Sequence, residues 1–182
     1  MEFHEYANIF PMLEGEELDS LKQDIREHGI RTPICVFEGK ILDGRNRYKA
    51  GRALRLDVPQ RQFEGTKEEA LNYVYSENIC RRHLTASVKG ICTARWQSLL
   101  ATTREATAAA QAEGGRTAGR GRPRQVSQII DEPISDANAR RADAQIGARA
   151  GVNRTYVAQA RRIVDASPEL EQDMAYIREV RH

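Results

Sequence analysis

The sequence predicts an α+β fold, in which a small mixed α/β domain is followed by an all-α domain. Apolar residues follow both helical and strand-like spacing over the first hundred residues, which indicates a mixed domain. A stretch rich in glycine and arginine then interrupts the pattern, and purely helical spacing resumes near residue 136. With 182 residues, of which 40% are hydrophobic, the chain is long enough for two small domains with separate cores.

Apolar spacing and turn residues give the order of elements in the first domain. Apolar residues recur at helical spacing up to Ile25, and Gly29 after them is typical of a helix C-cap. Thr66 followed by Glu69 forms the capping-box pattern that begins a helix. The predicted elements are a helix at 16–28, strands at 33–37 and 40–43, a helix at 45–54, a strand at 58–63, and helices at 66–78 and 85–110.

A basic segment separates the two predicted domains. Residues 114–124 hold four glycines, four arginines and one proline but no acidic residue. Nothing there can form a core, and glycine raises the entropy lost on ordering, so the segment is predicted to be a linker. The predicted limits are 1–84 for the mixed domain, 85–112 for a long connecting helix, 113–125 for the basic linker, and 126–182 for a helix-turn-helix domain.

The distribution of charge differs between the two halves of the chain. Residues 1–110 hold 16 basic and 16 acidic side chains, whereas residues 137–162 hold six arginines and one aspartate. The formal net charge is only +2, so the excess is local and predicts that the second domain meets a polyanion. The alternative is an arginine-rich surface that is merely solvated.

Composition excludes several classes of protein. No run of about 18 apolar residues is present, so we expect no contact with a membrane. The first residues have neither the basic nor the apolar region of a secretory signal. Cys35, Cys80 and Cys92 lack the spacing of a zinc site or a disulfide framework, which favours free thiols in the cytoplasm.

A glycine between a strand and a helix marks the first candidate site. Gly44 follows the predicted strand at 40–43, and Arg45, Asn46 and Arg47 begin the next helix. A helix N-terminus has unpaired N–H groups, glycine allows close approach, and arginine suits phosphate oxygens. These residues therefore predict a phosphate-binding cradle. The alternative is a solvated helix start, with Arg47 in a salt bridge to a neighbour.

Oxygen donors near the end of the helix at 66–78 mark a second candidate site. Glu77 and Asn78 stand in tandem, and Mg²⁺ uses such ligands together with waters and substrate phosphates. Arg81 and Arg82 add charge suited to phosphate. The alternative is a helix end at which Asn78 is a C-cap and the arginines complement the helix dipole.

The segment 144–163 has the pattern of a helix-turn-helix. Gly151 marks a turn between two helical stretches, and Gly147 allows the two to approach closely. The exposed face of the second helix is expected to enter a DNA groove, where Gln159 can bind a base edge. The alternative is an ordinary pair of helices without DNA contact. The predicted DNA contacts are Arg154, Thr155, Tyr156, Gln159, Arg161 and Arg162.

A second candidate DNA contact lies in the basic linker. Arg120, Arg122 and Arg124 belong to an Arg-Gly-Arg-Pro-Arg stretch that resembles an AT-hook, which lies along the narrow minor groove of A·T-rich DNA. The alternative is a basic linker attracted only to phosphates.

Taken in order, these features resemble the ParB family. The segment 43–50, DGRNRYKA, is similar to the family's Gly-x-x-Arg phosphate motif, and the segment 77–81, ENICR, to its second nucleotide motif. The resemblance covers about residues 9–100 and 137–175. It implies a ParB/sulfiredoxin-like N-terminal domain followed by a helix-turn-helix DNA-binding domain.

The resemblance also implies a function. In the family the first domain binds CTP with Mg²⁺, and binding closes a dimer around DNA. It implies a homodimer on double-stranded DNA, nucleoid- or plasmid-associated in the cytoplasm, that acts in plasmid, phage or chromosome partition or in transcription regulation, with a partition ATPase as a further partner. The implied ligands of the nucleoside triphosphate are Gly44, Arg45, Asn46, Arg47 and Arg81, and those of the metal are Glu77 and Asn78.

Two alternatives stay open. An enzyme of the same fold would hydrolyse a nucleotide, with weak CTPase activity as one form, or would act as a nuclease. A DNA-binding adaptor would have lost nucleotide binding and would use its first domain only for protein contacts. The intact motifs at Gly44 and Glu77 favour a nucleotide-dependent switch over the adaptor.

Overall fold

The computed structural model describes residues 1–80, 84–117, 143–148 and 150–166. A short 3-10 helix precedes the first α-helix, and residues 143–148 are helical ahead of the last one. The elements are the 3-10 helix Glu5–Ile9, α1 Gly15–His28, β1 Ile34–Phe37, β2 Lys40–Asp43, α2 Arg45–Ala53, β3 Gln60–Gln62, α3 Lys67–Ile79, α4 Ala86–Thr117 and α5 Arg154–Ala166.

A small sheet forms the centre of the mixed α/β part. β1 lies in the middle, antiparallel to β2 and parallel to β3. Glu38 and Gly39 join β1 to β2 with φ values of 48° and 75°, as the tight turns that match strand twist require. Because side chains alternate across the sheet, one face buries Ile34 and Val36 near α2, while the other contributes to the larger core.

The larger core lies between the sheet, α3 and α4. Leu71 is fully buried, and the rings of Tyr75 and Trp96 stack with their centroids 4.5 Å apart. The hydroxyl groups of Tyr75 and Thr93 are hydrogen-bonded at 2.9 Å, which satisfies two polar groups that would otherwise be buried without partners. The capping box of Thr66 and Glu69 is present at the start of α3, as predicted.

The long helix α4 extends farther than its sequence pattern indicates. It runs to Thr117, past the predicted end at 110 and into the first residues of the predicted linker at 113–125. Adding a residue to an existing helix gains a hydrogen bond at no nucleation cost, and glycine weakens a helix by only about 1 kcal/mol relative to alanine. The remaining linker residues lie outside the described part of the chain.

The described residues from 143 to 166 pack against α4. A Cβ atom on Gly90 would lie 3.0 Å from the carbonyl oxygen of Tyr156 and 3.5 Å from the Cβ of Ala160, so the absence of a side chain lets α4 and α5 approach closely. Ala150 belongs to the same buried cluster as Cys92 of α4. α4 therefore contributes to both halves of one continuous core.

A buried histidine ties the N-terminal residues to the sheet. His4 Nδ1 accepts a hydrogen bond from the Tyr6 N–H at 3.2 Å, and the His4 ring lies 5.5 Å from that of Phe37. Burial lowers the pKa of His4 below its ordinary 6.5, although the Glu38 carboxylate opposes the shift. His4 is therefore neutral in the fold at neutral pH.

We expect the free energy of unfolding to decrease as the pH falls below about 6.5, because the unfolded chain then binds a proton at His4 more readily than the fold does. His4→Asn keeps an acceptor for the Tyr6 N–H but cannot titrate. Its free energy of unfolding is therefore expected to decrease less than that of the wild type as the pH falls. Urea unfolding at pH 7.5 and 5.5 measures the difference. An equal decrease in both proteins would show that another group causes it.

Candidate functional site

The predicted glycine turn is present at the start of α2. Gly44 has φ 94° and is the N-cap residue of α2. A Cβ atom there would lie 2.8 Å from Arg47 Nη2 and 2.9 Å from Ile34 Cγ2, so the position requires glycine for both its backbone and its surroundings. The first N–H groups of α2 have no acceptor within the helix, which makes this turn a suitable place for an anion.

Two predicted phosphate ligands have internal partners in this structure. The Arg45 guanidinium is buried, and its Nη1 donates to Asn8 Oδ1 at 2.7 Å. Its Nη2 donates to the Phe10 carbonyl. Asn46 Oδ1 accepts from the Leu13 N–H at 3.0 Å. Both side chains therefore hold the segment before α1 against α2, and their contact with phosphate stays a prediction.

Arg47 forms the salt bridge that the alternative interpretation of this motif anticipated. Its Nη2 lies 3.0 Å from Asp43 Oδ2, and the other Asp43 oxygen accepts from Asn78 Nδ2 at 3.1 Å. Among the buried side-chain atoms of the described residues, Arg47 Nε is left without a hydrogen-bond partner. Asp43 therefore joins the Gly44 motif to the Glu77 motif, and our sequence analysis did not assign it to the site.

The donor set near Asp43 fits Mg²⁺ only in the company of a phosphate group. Glu77 is half-buried and Asn78 buried, and the Asn78 amide nitrogen faces Asp43 and the Val74 carbonyl. Within the described residues, no three His, Cys, Asp or Glu side chains are grouped to hold a metal ion. Because Mg²⁺ normally combines one or two carboxylates with waters and substrate phosphates, an ion here would need a phosphate group as well, and its binding by Glu77 and Asn78 stays a prediction.

Two neutral side chains, Cys35 and Tyr73, lie near Asp43. Cys35 pairs with Asp43 on β2 and with Arg61 on β3. Burial raises the pKa of the Cys35 thiol and that of the Tyr73 hydroxyl, so both are neutral at pH 7. Arg61 Nη2 donates to the Tyr73 hydroxyl oxygen at 2.6 Å. The charged groups that act on Tyr73 here are therefore Asp43, Glu77 and Arg61.

A second candidate site lies at the start of α5. The Val152 N–H donates to the Gly147 carbonyl at 2.9 Å, and Gly151 between them has φ 66°. A Cβ atom on Gly147 would lie 2.6 Å from the Val152 carbonyl oxygen. Asn153 Oδ1 then accepts from the Thr155 N–H at 3.1 Å, which satisfies a free donor at the helix start. The two glycines thus permit a tight turn between the helical residues 143–148 and α5.

The outer face of α5 has the composition predicted for it. Val157 and Ala160 are buried against the rest of the protein, while Thr155, Gln159 and Arg162 are exposed at positions one turn apart. The remaining exposed residues of the predicted set are Arg154 and Tyr156. The first turn of α5 holds no acidic residue, so its N-terminal end presents the positive helix dipole together with Arg154.

Arg161 differs from the other predicted DNA contacts. Its Nη2 lies 2.6 Å from Asp143 Oδ1 and 3.4 Å from Gln97 Oε1. The guanidinium therefore links α5 to α4 and to the helical residues before the turn, and a DNA contact by Arg161 stays a prediction. The sequence signal for this pair was available, because Asp143 is the single acid among residues 137–162.

Four of the predicted contact residues lie outside the part of the chain that the structure describes. They are Arg81, predicted to bind nucleotide, and Arg120, Arg122 and Arg124, predicted to bind DNA. Among the helices of the described residues, none combines the length and the apolar run needed to cross a bilayer.

No family model matches the chain, and no curated protein matches it. The chain is similar to a solved structure, the C2221 form of a Pnob8-like ParB-N domain, with 14% sequence identity and a TM-score of 0.49. The alignment covers 94% of this chain and 68% of that one. The identity is too low for the role of any residue to be transferred.

Proposed function

We propose that this chain is a ParB-like DNA-binding protein whose helix α5 enters the major groove of duplex DNA. The observation that supports this most strongly is the outer face of α5, where Thr155, Gln159 and Arg162 are exposed beside Arg154 and Tyr156. A tight turn and a helix N-terminus at the groove are the geometry of helix-turn-helix proteins. Homodimers acting in partition or transcription regulation fit this role.

The placement of Arg154 adds an electrostatic argument. A cation in the first turn of a helix is unfavourable because it faces the positive end of the dipole. Arg154 is exposed there and, among the described residues, makes no ion pair. Binding to a phosphate would turn this local repulsion into an attraction, since the helix N-terminus and the guanidinium would then act on the same anion.

Salt-dependent DNA binding tests the proposal. Arg154→Ala and Arg162→Ala are each expected to weaken duplex binding and, where the arginine contacts phosphate, to reduce the slope of log affinity against log salt by about 1. Arg26→Ala on α1 removes the same charge from an exposed position far along the chain and should leave the slope unchanged. If both α5 variants bound with the affinity and the slope of the wild type, the docking of α5 would be contradicted.

We also propose that the Gly44 turn binds CTP together with Mg²⁺. The buried Arg47 Nε without a partner supports this, as does the position of the turn at the positive end of the α2 dipole, because both suit phosphate oxygens. Arg47 and the α2 N-terminus would hold the phosphates, while Glu77 and Asn78 would hold the ion. Bound Mg²⁺ would neutralise charge on the phosphates.

Calorimetric titration with CTP, ATP and GTP in the presence of Mg²⁺ tests this second proposal. We expect CTP to bind most tightly. Failure of all three to bind at millimolar concentration would leave the DNA-binding adaptor as the correct interpretation. Release of inorganic phosphate from bound CTP would instead identify a weak CTPase.

A further inference from the structure

We infer that α5 reads a thymine through Thr155 and an adenine through Gln159, so that its DNA site contains A·T base pairs under the first turns of the helix. This inference rests on the proposed docking of α5 in the major groove. It adds the identity of the bases. This identity follows from the hydrogen bonds that Thr155 makes, and that Gln159 lacks, within the described part of the protein.

The hydroxyl group of Thr155 already has a partner inside the protein. Thr155 Oγ1 donates to Asn153 Oδ1 at 3.0 Å, and the same oxygen accepts from the Thr155 N–H. With its hydrogen atom held by the cap, the Thr155 hydroxyl cannot donate to a base, and the exposed side chain offers its methyl group and an acceptor oxygen. In the major groove the natural partner of a threonine methyl is the C5-methyl group of thymine.

Gln159 lies one helical turn beyond Thr155 on the same face. Its side chain is exposed, and within the described residues its amide has no hydrogen-bond partner. An amide offers one donor and one acceptor side by side, which matches the N6 and N7 atoms of adenine. Four residues of helix rise about 6 Å, so the two contacts fall within about two base-pair steps of 3.4 Å.

The neighbouring arginine does not compete for this position. Arg161 Nη2 is held by Asp143 and Gln97, which draws this guanidinium toward α4 and away from Thr155 and Gln159. Arg154 and Arg162 flank the two reading side chains and would contact phosphate or a flanking base. Thr155 and Gln159, at the centre of the reading face, are uncharged, so the bidentate contact of arginine or lysine with guanine is replaced there by the contact of glutamine with adenine.

Enrichment of binding sites from random duplex DNA, followed by base substitution in the enriched site, tests the inference with the full chain. We expect one thymine position to lose about fourfold in affinity when uracil, which lacks the methyl group, replaces thymine. Thr155→Ser removes the protein methyl and keeps the hydroxyl, so uracil should then have no effect. Thr155→Val keeps a methyl without the hydroxyl, so the uracil effect should persist.

Gln159 has a corresponding test. Gln159→Ala should remove the preference for adenine at one position, which in the wild type should be about 5-fold to 150-fold over other bases. The inference is overturned if Thr155→Ser retains the uracil effect, or if the enriched site has no A·T pair whose preference depends on Gln159. It is also overturned if the wild type binds duplex DNA but enriches no site, whereas a wild type that binds no duplex DNA at all would contradict the proposed function itself.

Discussion

Gly44→Ala is expected to lower the free energy of unfolding by about 2–5 kcal/mol. Part of this loss comes from forcing a side chain into the left-handed region, at about 1–2 kcal/mol, because Gly44 has φ 94°. The rest comes from overpacking, at about 1–3 kcal/mol, because the new methyl group would lie 2.9 Å from Ile34 Cγ2 in the core. Urea unfolding of the wild type and of Gly44→Ala measures the sum of these two contributions.

Gly39→Ala is the matched control for that prediction. Gly39 also has a positive φ of 75°, but no atom lies within 4 Å of the position that its Cβ would take. The decrease in the free energy of unfolding of Gly39→Ala should therefore be limited to the backbone contribution of about 1–2 kcal/mol. Equal losses at the two positions would show that Gly44 is required only for its backbone conformation and that close packing against Ile34 contributes nothing.

Gly147→Ala is expected to weaken DNA binding by about 5-fold to 150-fold, which corresponds to about 1–3 kcal/mol, while the mixed α/β part stays folded. The added methyl group would lie 2.6 Å from the Val152 carbonyl oxygen, which is a backbone atom and cannot rotate away. The turn would have to open, at about 1–3 kcal/mol, and α5 would lose its position relative to the helical residues before it. DNA titration and near-ultraviolet dichroism of Trp96 in the core measure the two effects separately.

Gly151→Asn provides the comparison in the same turn. Gly151 has φ 66° with no neighbour within 4 Å, and asparagine tolerates the left-handed region better than other residues with side chains. This variant should bind DNA nearly as well as the wild type. Loss of binding in Gly151→Asn but not in Gly147→Ala would contradict the account of the turn.

Local pattern was sufficient to predict most of the elements. Strand residues around Val36, the glycine turn at Gly44 and the capping box at Thr66 were predicted because each depends on neighbours in sequence. The predicted strand at 58–63 is shorter, covering Gln60–Gln62. Its three side chains are exposed, so hydrogen bonding to β1 forms it rather than a buried apolar face.

Residue roles that depend on distant partners were not predictable in the same way. The motif at Gly44 gave no sign that Asn8 and Phe10, more than 30 positions earlier, accept hydrogen bonds from Arg45. Arg161 and Arg162 are adjacent and chemically identical, yet only the first meets Asp143. Adjacent residues of a helix point in different directions, which the sequence shows. Whether a carboxylate lies within reach of one of them depends on how distant parts of the chain pack together.

Hydroxyl-radical labelling of side chains, with and without duplex DNA, tests the central claim most directly. Tyr156 on α5 and Phe3 near the N-terminus have similar exposed fractions, 41% and 37%, so each serves as a control for the other. If α5 lies in the groove, DNA protects Tyr156 from oxidation and leaves Phe3 as reactive as in the free protein. Undiminished oxidation of Tyr156 in a saturated complex would contradict the account.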